Sequence, residues 1–576
     1  MSPRRPHAAL VGLALVIAAC AGSDTAAPAP TPPIATDPPP ATPAPPVIAT
    51  DPPSTSPPPT EQVDTTSVPD TRRRGGTLRY GLEADVDGLN PVSSALSAPG
   101  QLMANAVFDT LTAFDVDGNV VPYLASSVQP VDGDLTRWRV TLREGITFHD
   151  GTPLNAAAVQ TNFELALGSA FIGIAMRPFY PAENATEVVD EYTLDYQLLD
   201  PSAVFPATLS TQTGYVASPA WLAAALDDPA LNQKPVGTGP FVFDRRSQDA
   251  VTRFVRNDDW WRGDVHLDAV EFIPVPDPDT RNDLLIRGEL DALQTTNPAS
   301  VGDLRERDGI QNFVDDSGEE TFVMLNTEHP PFDDIRARQA LTFATPLRNF
   351  RELIGLGIAP DADQMFTADS PYHNPAVVQE GDRPDEAIAL AAAYCADVPA
   401  ECTNGRIDTE YQWFGPSVID NRIAEILDEG WSRAFNVTFD ELAQDTHIQQ
   451  TALGQYDATL WRQFGSDEPS IDRFSFLCRT IDVISLNFAR YCTPERDALL
   501  LEVQTLADPA ARIPLWHAIT QDIHDAHTYI FLTHTIWDNA FGPQVRGVCD
   551  RVSPDGVALQ CVGNGRTWFD SLWLSE

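Results

Sequence analysis

The sequence predicts a large protein of mixed α/β layers, in which strand and helix patterns alternate along the chain. Residues 77–82 and 136–148 alternate apolar and polar side chains, as half-buried strands do. Asn155 is a candidate N-cap for a helix whose apolar positions follow at helical spacing from Val159. A second helical stripe covers residues 337–344. Because no repeat of 20–50 residues occurs, layered α/β packing is expected rather than a solenoid or a propeller.

Composition and charge exclude several classes of function. The 576 residues include 37 Lys+Arg and 82 Asp+Glu, which gives a formal charge of −45. This balance argues against nucleic acid and against electrostatic binding to anionic lipid, since Lys and Arg bind both. The single lysine, Lys234, lies between Gln233 and Pro235, so the chain lacks the Gly-Lys-Ser/Thr of a nucleotide-binding P-loop.

The N-terminus has the pattern of a bacterial export signal over residues 1–19. Arg4 and Arg5 precede an apolar run at residues 8–19, which is shorter than the roughly 20 residues that a membrane-spanning helix needs. The sequence Ile-Ala-Ala-Cys that ends at Cys20 resembles a lipobox, which implies cleavage before Cys20 and a diacylglyceryl group on its sulfur. The protein would then be lipid-anchored at the extracytoplasmic face of the cell membrane. The alternative is an ordinary secreted protein with an incidental cysteine.

Residues 20–74 are predicted to be a disordered tether. After Cys20 the segment consists mostly of Pro, Ala, Thr, Ser and Asp, and a hexapeptide at residues 34–39 recurs at 48–53. Such a composition cannot bury enough apolar surface to offset the entropy lost on ordering. The folded body is therefore expected to begin at Gly75.

Six cysteines remain after Cys20, an even number that suits an oxidising compartment. None of their spacings is the Cys-x-x-Cys of a zinc site. They allow about 15 pairings, and sequence alone cannot choose among them. Near-neighbour pairing is the expected arrangement, and it gives Cys395–Cys402, Cys478–Cys492 and Cys549–Cys561.

Four blocks, in order, resemble the extracellular solute-binding proteins of peptide/nickel-type ABC importers (bacterial solute-binding protein family 5). They are residues 138–156 (WRVTLREGITFHDGTPLNA), residues 235–241 (PVGTGPF), residues 257–261 (NDDWW) with the later Gly-Glu-Leu-Asp, and residues 326–341, which contain Pro-Pro-Phe-Asp-Asp and Arg-Gln-Ala-Leu. The Asp-Gly and Gly-Thr-Gly-Pro segments supply turns, so these blocks identify the fold rather than the ligand contacts. The resemblance covers about residues 75–540.

The resemblance implies a two-lobed periplasmic-binding-protein-like α/β fold with an interlobe cleft. The first lobe is expected at 75–315, completed by 528–576, and the second at 316–527. A peptide-like or other organic solute would bind between the lobes and favour their closure. The closed monomer would deliver the solute to an ABC permease with its ATPase subunits, and it would need no cofactor and carry out no reaction.

Aromatic and charged side chains of the predicted second lobe are the candidate solute contacts, because clefts combine aromatic walls with a few polar groups. They are Trp413, Trp461, Arg462, Phe464, Asp467 and Glu468. In the dipeptide and oligopeptide binders that the chain resembles, an Asp four residues before the proline pairs with the peptide's α-ammonium. Gly465 stands at that position here. Either the contact has moved to Asp467 or Glu468, or the solute has no free ammonium there. Core packing is the alternative for the two tryptophans.

Two other functions stay open. His517, His524 and His527 are spaced to share one helix face, and imidazoles on one face can bind Ni²⁺ or Zn²⁺; an exposed polar stripe is the alternative. An extracellular metal-binding protein of the nickel type is therefore the second hypothesis. A secreted hydrolase is the third, although neither Gly-x-Ser-x-Gly nor His-Glu-x-x-His occurs.

Overall fold

A computed structural model describes residues 72–575, apart from residues 95, 171, 316, 317, 416 and 467. The predicted export signal, Cys20 and nearly all of the predicted tether lie outside this part of the chain, and so does Asp467. No helix among the described residues is both long enough and apolar enough to cross a membrane.

Strands and helices alternate through the described residues, as the sequence predicts. The strands are β1 (Thr77–Leu82), β2 (Thr112–Phe114), β3 (Val120–Pro122), β4 (Ala125–Val131), β5 (Asp134–Leu142), β6 (Thr186–Asp190), β7 (Thr193–Gln197), β8 (Phe241–Ser247), β9 (Val251–Arg256), β10 (Ala269–Pro274), β11 (Ala292–Thr295), β12 (Gln311–Asp315), β13 (Glu320–Leu325), β14 (Cys402–Thr403), β15 (Arg406–Phe414), β16 (Phe435–Leu442), β17 (Ala458–Gln463), β18 (Tyr529–His534), β19 (Trp537–Phe541), β20 (Val545–Arg546), β21 (Val562–Gly563), β22 (Arg566–Thr567) and β23 (Trp573–Leu574). The helices are α1 (Ala98–Val107), α2 (Ala156–Gly168), α3 (Ile172–Met176), α4 (Phe205–Thr208), α5 (Pro219–Asp227), α6 (Pro278–Ile286), α7 (Pro298–Arg305), α8 (Ile335–Ala344), α9 (Leu347–Phe350), α10 (Pro384–Asp397), α11 (Val418–Trp431), α12 (Gln444–Ala452), α13 (Pro494–Val503) and α14 (Pro509–Ala526).

The first large sheet has seven strands in the order β12-β19-β11-β1-β10-β9-β8. Strand β1 is parallel to β10, with Thr77 opposite Ala269, and parallel to β11, with Tyr80 opposite Ala292. Strand β19 runs antiparallel between β11 and β12. Because β1, β10 and β11 run in the same direction, their carboxyl ends lie along one edge of the sheet.

The second large sheet has the order β14-β15-β17-β13-β18, with β16 paired to β15. Its central strand β13 is antiparallel to both neighbours, and Glu320 lies opposite Gln463 of β17 and opposite His534 of β18. The buried apolar side chains of β13 alternate between two clusters, one with α8 and α11 and the other with α13 and α14.

A four-stranded sheet, β4-β5-β7-β6, contains the first part of the strand pattern predicted at residues 136–148, since β5 ends at Leu142 and residues 143–148 lie outside it. Trp138, Val140 and Leu142 of β5 are buried on one face, as the alternation indicates. Asn155 caps α2, since its side-chain oxygen accepts from the backbone N–H of Ala158 at 2.9 Å. The helix predicted near residues 337–344 is α8.

The chain connects the two large sheets twice, between β12 and β13 and between β18 and β19. The predicted second lobe ends at residue 527, yet β18, at Tyr529–His534, pairs in the second sheet. The lobe boundaries remain a prediction, and this pairing moves the expected return crossing to residues 535–536.

The structure pairs the six cysteines of the folded body as Cys395–Cys402, Cys478–Cys492 and Cys549–Cys561. These are the near-neighbour pairs expected from the sequence. The first joins the end of α10 to β14, and the second fixes the irregular segment that precedes α13. Each closes a short loop, which limits the freedom of the unfolded chain and thereby stabilises the folded one.

Candidate functional site

The candidate site lies at the carboxyl ends of the parallel strands β1 and β11. In open α/β sheets, ligands bind in the crevice outside these strand ends. Glu83 directly follows β1, and Thr296 directly follows β11. The two side chains touch, because the Thr296 hydroxyl donates to Glu83 Oε2 at 3.3 Å. The strand ends thus present a carboxylate and a hydroxyl side by side.

Arg462 of β17 brings the second sheet to this edge of the first. Its Nη1 donates to Thr296 Oγ1 at 3.4 Å, and its Nη2 lies 3.5 Å from Glu83 Oε1. On the other side, its Nε lies 3.0 Å from Oε2 of Glu319, a residue that immediately precedes β13. The Arg462 side chain is 36% exposed, so the guanidinium bridges both sheets and still faces solvent.

Trp537, the first residue of β19, forms the aromatic side of the site. The guanidinium carbon of Arg462 lies 5.0 Å from the centroid of its ring, within the range of a cation–π contact. The indole N–H donates to Glu319 Oε2 at 3.1 Å. Gly565 packs directly on the indole: its φ is +73°, and a Cβ there would lie 2.6 Å from Trp537 Cδ2. Only glycine fits, so the backbone of residue 565 fixes the position of the ring.

Carboxylates outnumber cations in this part of the structure. Burial raises the pKa of the Glu319 carboxyl above its ordinary value, while the charge of Arg462 acts in the opposite direction. Burial likewise raises the pKa of Asp420 near the start of α11, where Arg462 lowers it and Glu441 and Glu83 raise it further. The Arg462 guanidinium is therefore shared among several acidic groups.

The backbone at Gly465 excludes a side chain. Its φ is +89°, and a Cβ would lie 2.7 Å from the carbonyl carbon of Gly318. Asn564 holds the same residue by donating from Nδ2 to its carbonyl oxygen at 2.5 Å. An aspartate at position 465 would collide with the connection that precedes β13. Position 465 therefore carries no carboxylate because the connection from the first sheet to the second packs directly against it.

Trp461 and Arg462 are neighbours on β17, so their side chains point to opposite faces of the sheet. The Trp461 indole N–H donates to Gln463 Oε1 at 3.0 Å. Its ring centroid lies 5.2 Å from that of Phe488 and 5.3 Å from that of His447. Trp461 is only partly buried and remains a candidate wall residue, but it does not contact the group around Arg462.

Two of the predicted contacts pack in the interior of the second sheet's region. Trp413 is 7% exposed, and its indole N–H donates to Asn421 Oδ1 at 2.8 Å. Phe464 stacks between Phe322 and Phe476, with ring centroids 5.3 and 5.0 Å away. This is the core packing weighed above for Trp413, and Phe464 shares it. We leave both out of the site.

Glu468 caps the short 3-10 helix at Pro469–Ser475 and is not a free carboxylate. Its Oε1 accepts from the backbone N–H of Ser470 at 3.1 Å, and its Oε2 forms an ion pair with Arg512. Because its charge is already paired, it is poorly suited to replace the missing aspartate. Asp467, the other predicted replacement, lies outside the described residues.

Two of the three predicted histidines, His517 and His524, lie within α14, and the third lies just beyond its end. Helix α14 ends at Ala526, and His527 adopts a left-handed conformation with φ +49° as its C-cap. His527 is buried, with its ring 6.0 Å from that of Phe343 and 5.8 Å from that of His524. The expectation that His517, His524 and His527 share one face assumed a longer helix. Within the described ranges, no group of three or more His, Cys, Asp or Glu could hold a metal ion.

Sequence reasoning missed Glu83, Thr296, Glu319 and Trp537. Glu83 could have been found, because it directly follows a strand that the alternation predicts, and strand ends are where α/β proteins bind ligands. Trp537 and Glu319 gave no such signal, because Trp537 begins β19 directly after one connection between the sheets and Glu319 lies in the other connection.

Comparison with known proteins decides the family. A family model described as "Bacterial extracellular solute-binding proteins, family 5 Middle" matches residues 119–479, more than half of the chain. The chain belongs to this family. The match begins before β5 and ends after β17, so it includes Trp461, Arg462 and Glu319.

Three curated relatives each align with more than half of this chain. Di/tripeptide-binding protein 2 of Pseudomonas aeruginosa is 26% identical over 512 residues, which cover 83% of this chain and 93% of that protein. Heme-binding protein A of Haemophilus influenzae is 25% identical over 454 residues, covering 74% and 81%. The nickel-binding periplasmic protein of Escherichia coli is 25% identical over 358 residues, covering 59% and 66%.

Solved structures confirm the two-lobed periplasmic-binding-protein fold. The periplasmic binding protein DppA from Helicobacter pylori, in complex with the peptide STSA, superposes with a TM-score of 0.75 at 20% identity, covering 88% of this chain and 99% of that one. AgaA from Agrobacterium tumefaciens R10, in complex with agropinic acid, also gives 0.75 at 20% identity, covering 87% and 99%.

Proposed function

We propose that this family 5 protein is the lipid-anchored solute-binding component of an ABC importer. It captures a peptide-like or other organic solute between its two lobes and delivers it to a membrane permease whose ATPase subunits supply the energy. It carries out no reaction itself. Family membership supports solute binding, and the relatives named above for di/tripeptides, heme and nickel show how varied the solutes of similar proteins are.

The observation that carries the proposal is the position of Arg462. It links Glu319 beside the second sheet to Glu83 and Thr296 at the strand ends of the first sheet. A solute in this place would touch groups from both sheets only when they approach each other. It would therefore favour the closed arrangement by its differential affinity for that state.

The solute is not a free dipeptide held by its α-ammonium at position 465. Gly465 has no room for a carboxylate, and Glu468 is already paired with Arg512. An ammonium buried there without a partner would cost several kcal/mol. Calorimetry against matched peptides tests this point: N-acetylation should leave affinity unchanged or improve it. Micromolar binding that vanishes on N-acetylation would contradict it and would direct attention to Asp467.

Solute capture itself is tested on the exported protein. Native mass spectrometry should detect a co-purified small molecule that denaturation releases. Small-angle scattering should show a smaller radius of gyration when that molecule is added back to the stripped protein. A protein that carries no molecule, and whose radius does not change with extracts of its growth medium, would contradict the proposal.

The anchor is tested by Cys20→Ala. The unchanged protein should sediment with membranes at the processed size and partition into detergent. The variant should be released or remain unprocessed, because without the thiol no diacylglyceryl group can be attached. A processed variant that still sediments with membranes would show that the apolar run ending at Ala19 anchors by another route.

A further inference from the structure

The guanidinium of Arg462 fills a small enclosure that we call the cation cage: Glu83, Thr296, Glu319 and Trp537. Two members are carboxylates, one is a hydroxyl and one is an indole ring. Their polar atoms lie 3.0–3.5 Å from the guanidinium nitrogens, and the ring centroid lies 5.0 Å from its carbon. Aromatic faces and carboxylates both attract cations, so the cage favours a positively charged group.

An anionic solute group would meet repulsion in the same place. It would lie against Glu83 and Glu319, and the charge of Asp420 is close enough to interact with Arg462. Arg462 lies among these carboxylates, and the buried Arg281 also interacts with Glu83. The formal charge of −45 on the whole chain adds a long-range bias in the same direction.

Arg462 is held unevenly, which makes it an exchangeable occupant. Its contact with Glu319 is 3.0 Å, but those with Thr296 and Glu83 are 3.4 and 3.5 Å, at the limit of a hydrogen bond. The side chain is 36% exposed, and it is the penultimate residue of β17. Trp537, in contrast, is 1% exposed and is fixed by Gly565 and Glu319. The indole side of the cage is therefore rigid, whereas Arg462 is free to leave it toward solvent.

We propose that the solute of this protein carries a guanidinium, or an ammonium group other than a peptide's α-ammonium, and that this group binds in the cation cage in place of Arg462, which turns outward. The inference rests on the proposed function, since it assigns a solute class to the same site. It gives the solute cation two carboxylates, Glu83 and Glu319, although Gly465 itself offers none.

Calorimetry with a matched pair of probes tests the cage. N-acetyl-arginine amide carries a guanidinium and neither terminal charge, and N-acetyl-citrulline amide has the same shape without the charge. Arg462→Ala should bind the arginine probe about tenfold more tightly than the unchanged protein, because its competitor is gone. Arg462→Ala should bind the citrulline probe at least about tenfold more weakly than it binds the arginine probe. Adding Glu83→Gln to Arg462→Ala should weaken binding of the arginine probe by a similar factor.

Glu289→Gln in the Arg462→Ala protein is the matched control. It removes one negative charge from the same sheet's region at a side chain that is 60% exposed and lies outside the cage. It should leave affinity within about twofold, since a charge so exposed is screened by salt. Thermal melts of each variant verify folding.

Three results would overturn the inference: equal binding of the two probes, weaker binding of the arginine probe by Arg462→Ala than by the unchanged protein, or no heat from Arg462→Ala at millimolar arginine probe. A neutral or anionic solute found by native mass spectrometry would also overturn it while leaving solute capture intact. Failure to bind or close on any solute would instead contradict the proposed function.

Discussion

Two regions in which residues 75–315 meet residues 316–527 are built in opposite ways. The cation cage and its occupant Arg462 form one of them, with contacts at 3.4 and 3.5 Å across the sheets and an exposed guanidinium. The other, which we call the Phe179 contact, consists of Phe179, Asp200, Arg473, Arg479 and Gln504. There the guanidinium carbons of Arg473 and Arg479 lie 4.3 and 5.0 Å from the Phe179 ring centroid.

The Phe179 contact is tight, and Arg473 and Gln504 are buried within it. The backbone N–H of Ala203 donates to the carbonyl of Gln504 at 2.8 Å, and Arg479 pairs with Asp200 at 2.5 Å. The Gln504 amide lines a cavity of about 10 Å³, close to the volume that one water molecule needs. Closure and recognition are therefore separable in this protein. The Phe179 contact holds residues 75–315 against residues 316–527 by packing, whereas the carboxylates of the cage can exchange Arg462 for a solute cation.

The largest effect is expected where the backbone supports the cage. Gly465→Ala should lower the free energy of unfolding by about 3–5 kcal/mol, because the new Cβ collides with the backbone before β13 and φ is positive. Urea denaturation followed by tryptophan fluorescence measures it.

Gly118→Ala is the matched control for Gly465→Ala. Its φ is +78°, but no atom lies within 4 Å of the added Cβ. It should cost only about 1–2 kcal/mol, the price of the left-handed conformation alone. Equal costs for the two substitutions would mean that the close approach of residues 318 and 465 is not a constraint.

Asp538 of β19, next to Trp537, gives the second effect. Burial raises its pKa from 3.8 to about 7, which the charge of Arg305 partly offsets. The folded state therefore holds this proton more tightly than the unfolded state does. The free energy of unfolding should fall as pH rises from about 4 to 7 and then level off. Asp538→Asn should remove this loss and raise stability at pH 8 by about 2–4 kcal/mol.

Unfolding free energies of both proteins between pH 4 and pH 8 check the Asp538 prediction. Asp303→Asn, at a carboxylate that is 40% exposed and pairs with Arg307 on the surface, is the control and should change stability by less than about 0.5 kcal/mol. Parallel pH profiles for Asp538→Asn and the unchanged protein would show that Asp538 stays ionised when buried.

The Phe179 contact should tolerate loss of charge better than loss of volume. Burial is the main cause that lowers the pKa of Arg473 to about 10, since the guanidinium is poorly hydrated. Arg473→Ala should destabilise by about 2–3 kcal/mol because it removes the packing on Phe179. Arg473→Met keeps most of the volume and should recover at least half, since replacing a buried charge by an apolar side chain is often neutral. Equal losses of stability in Arg473→Ala and Arg473→Met would mean that the charge of Arg473, and not its volume, stabilises the contact.

Sequence reasoning succeeded where a local pattern has one structural solution. The alternation at residues 136–148, the cap at Asn155 and the stripe at residues 337–344 each correspond to β5, α2 and α8. Cysteines near in sequence are also joined in the structure, because a short loop brings them together at little entropic cost.

The rest depended on tertiary placement. Helical spacing could not reveal that α14 ends before His527, which adopts a left-handed conformation two residues before β18. An aromatic residue in a sequence pattern does not show whether a core or a cleft surrounds it, and Trp413 and Trp461 differ for that reason. Gly465 was recognised as a departure from the pattern, but its cause lies 147 residues earlier in the chain, at Gly318.

The smallest effect on stability is expected at the residue with the largest proposed role. Arg462→Ala should change the free energy of unfolding by less than about 1 kcal/mol, since partly exposed ion pairs contribute little. It removes the charge that lowers the pKa of Glu319, so the raised pKa of Glu319 should rise further, and stability should be lost over a pH range that extends higher. Unfolding measured at pH 5 and pH 8 checks the sign: the difference between variant and unchanged protein should be larger at pH 8. Arg473→Ala is the contrasting variant. It should lower the free energy of unfolding more than twice as much, and no carboxylate of the cage lies beside it. An Arg462→Ala protein destabilised as strongly as Arg473→Ala would mean that Arg462 forms a structural ion pair, as Arg479 does with Asp200, and that the cage has no exchangeable occupant.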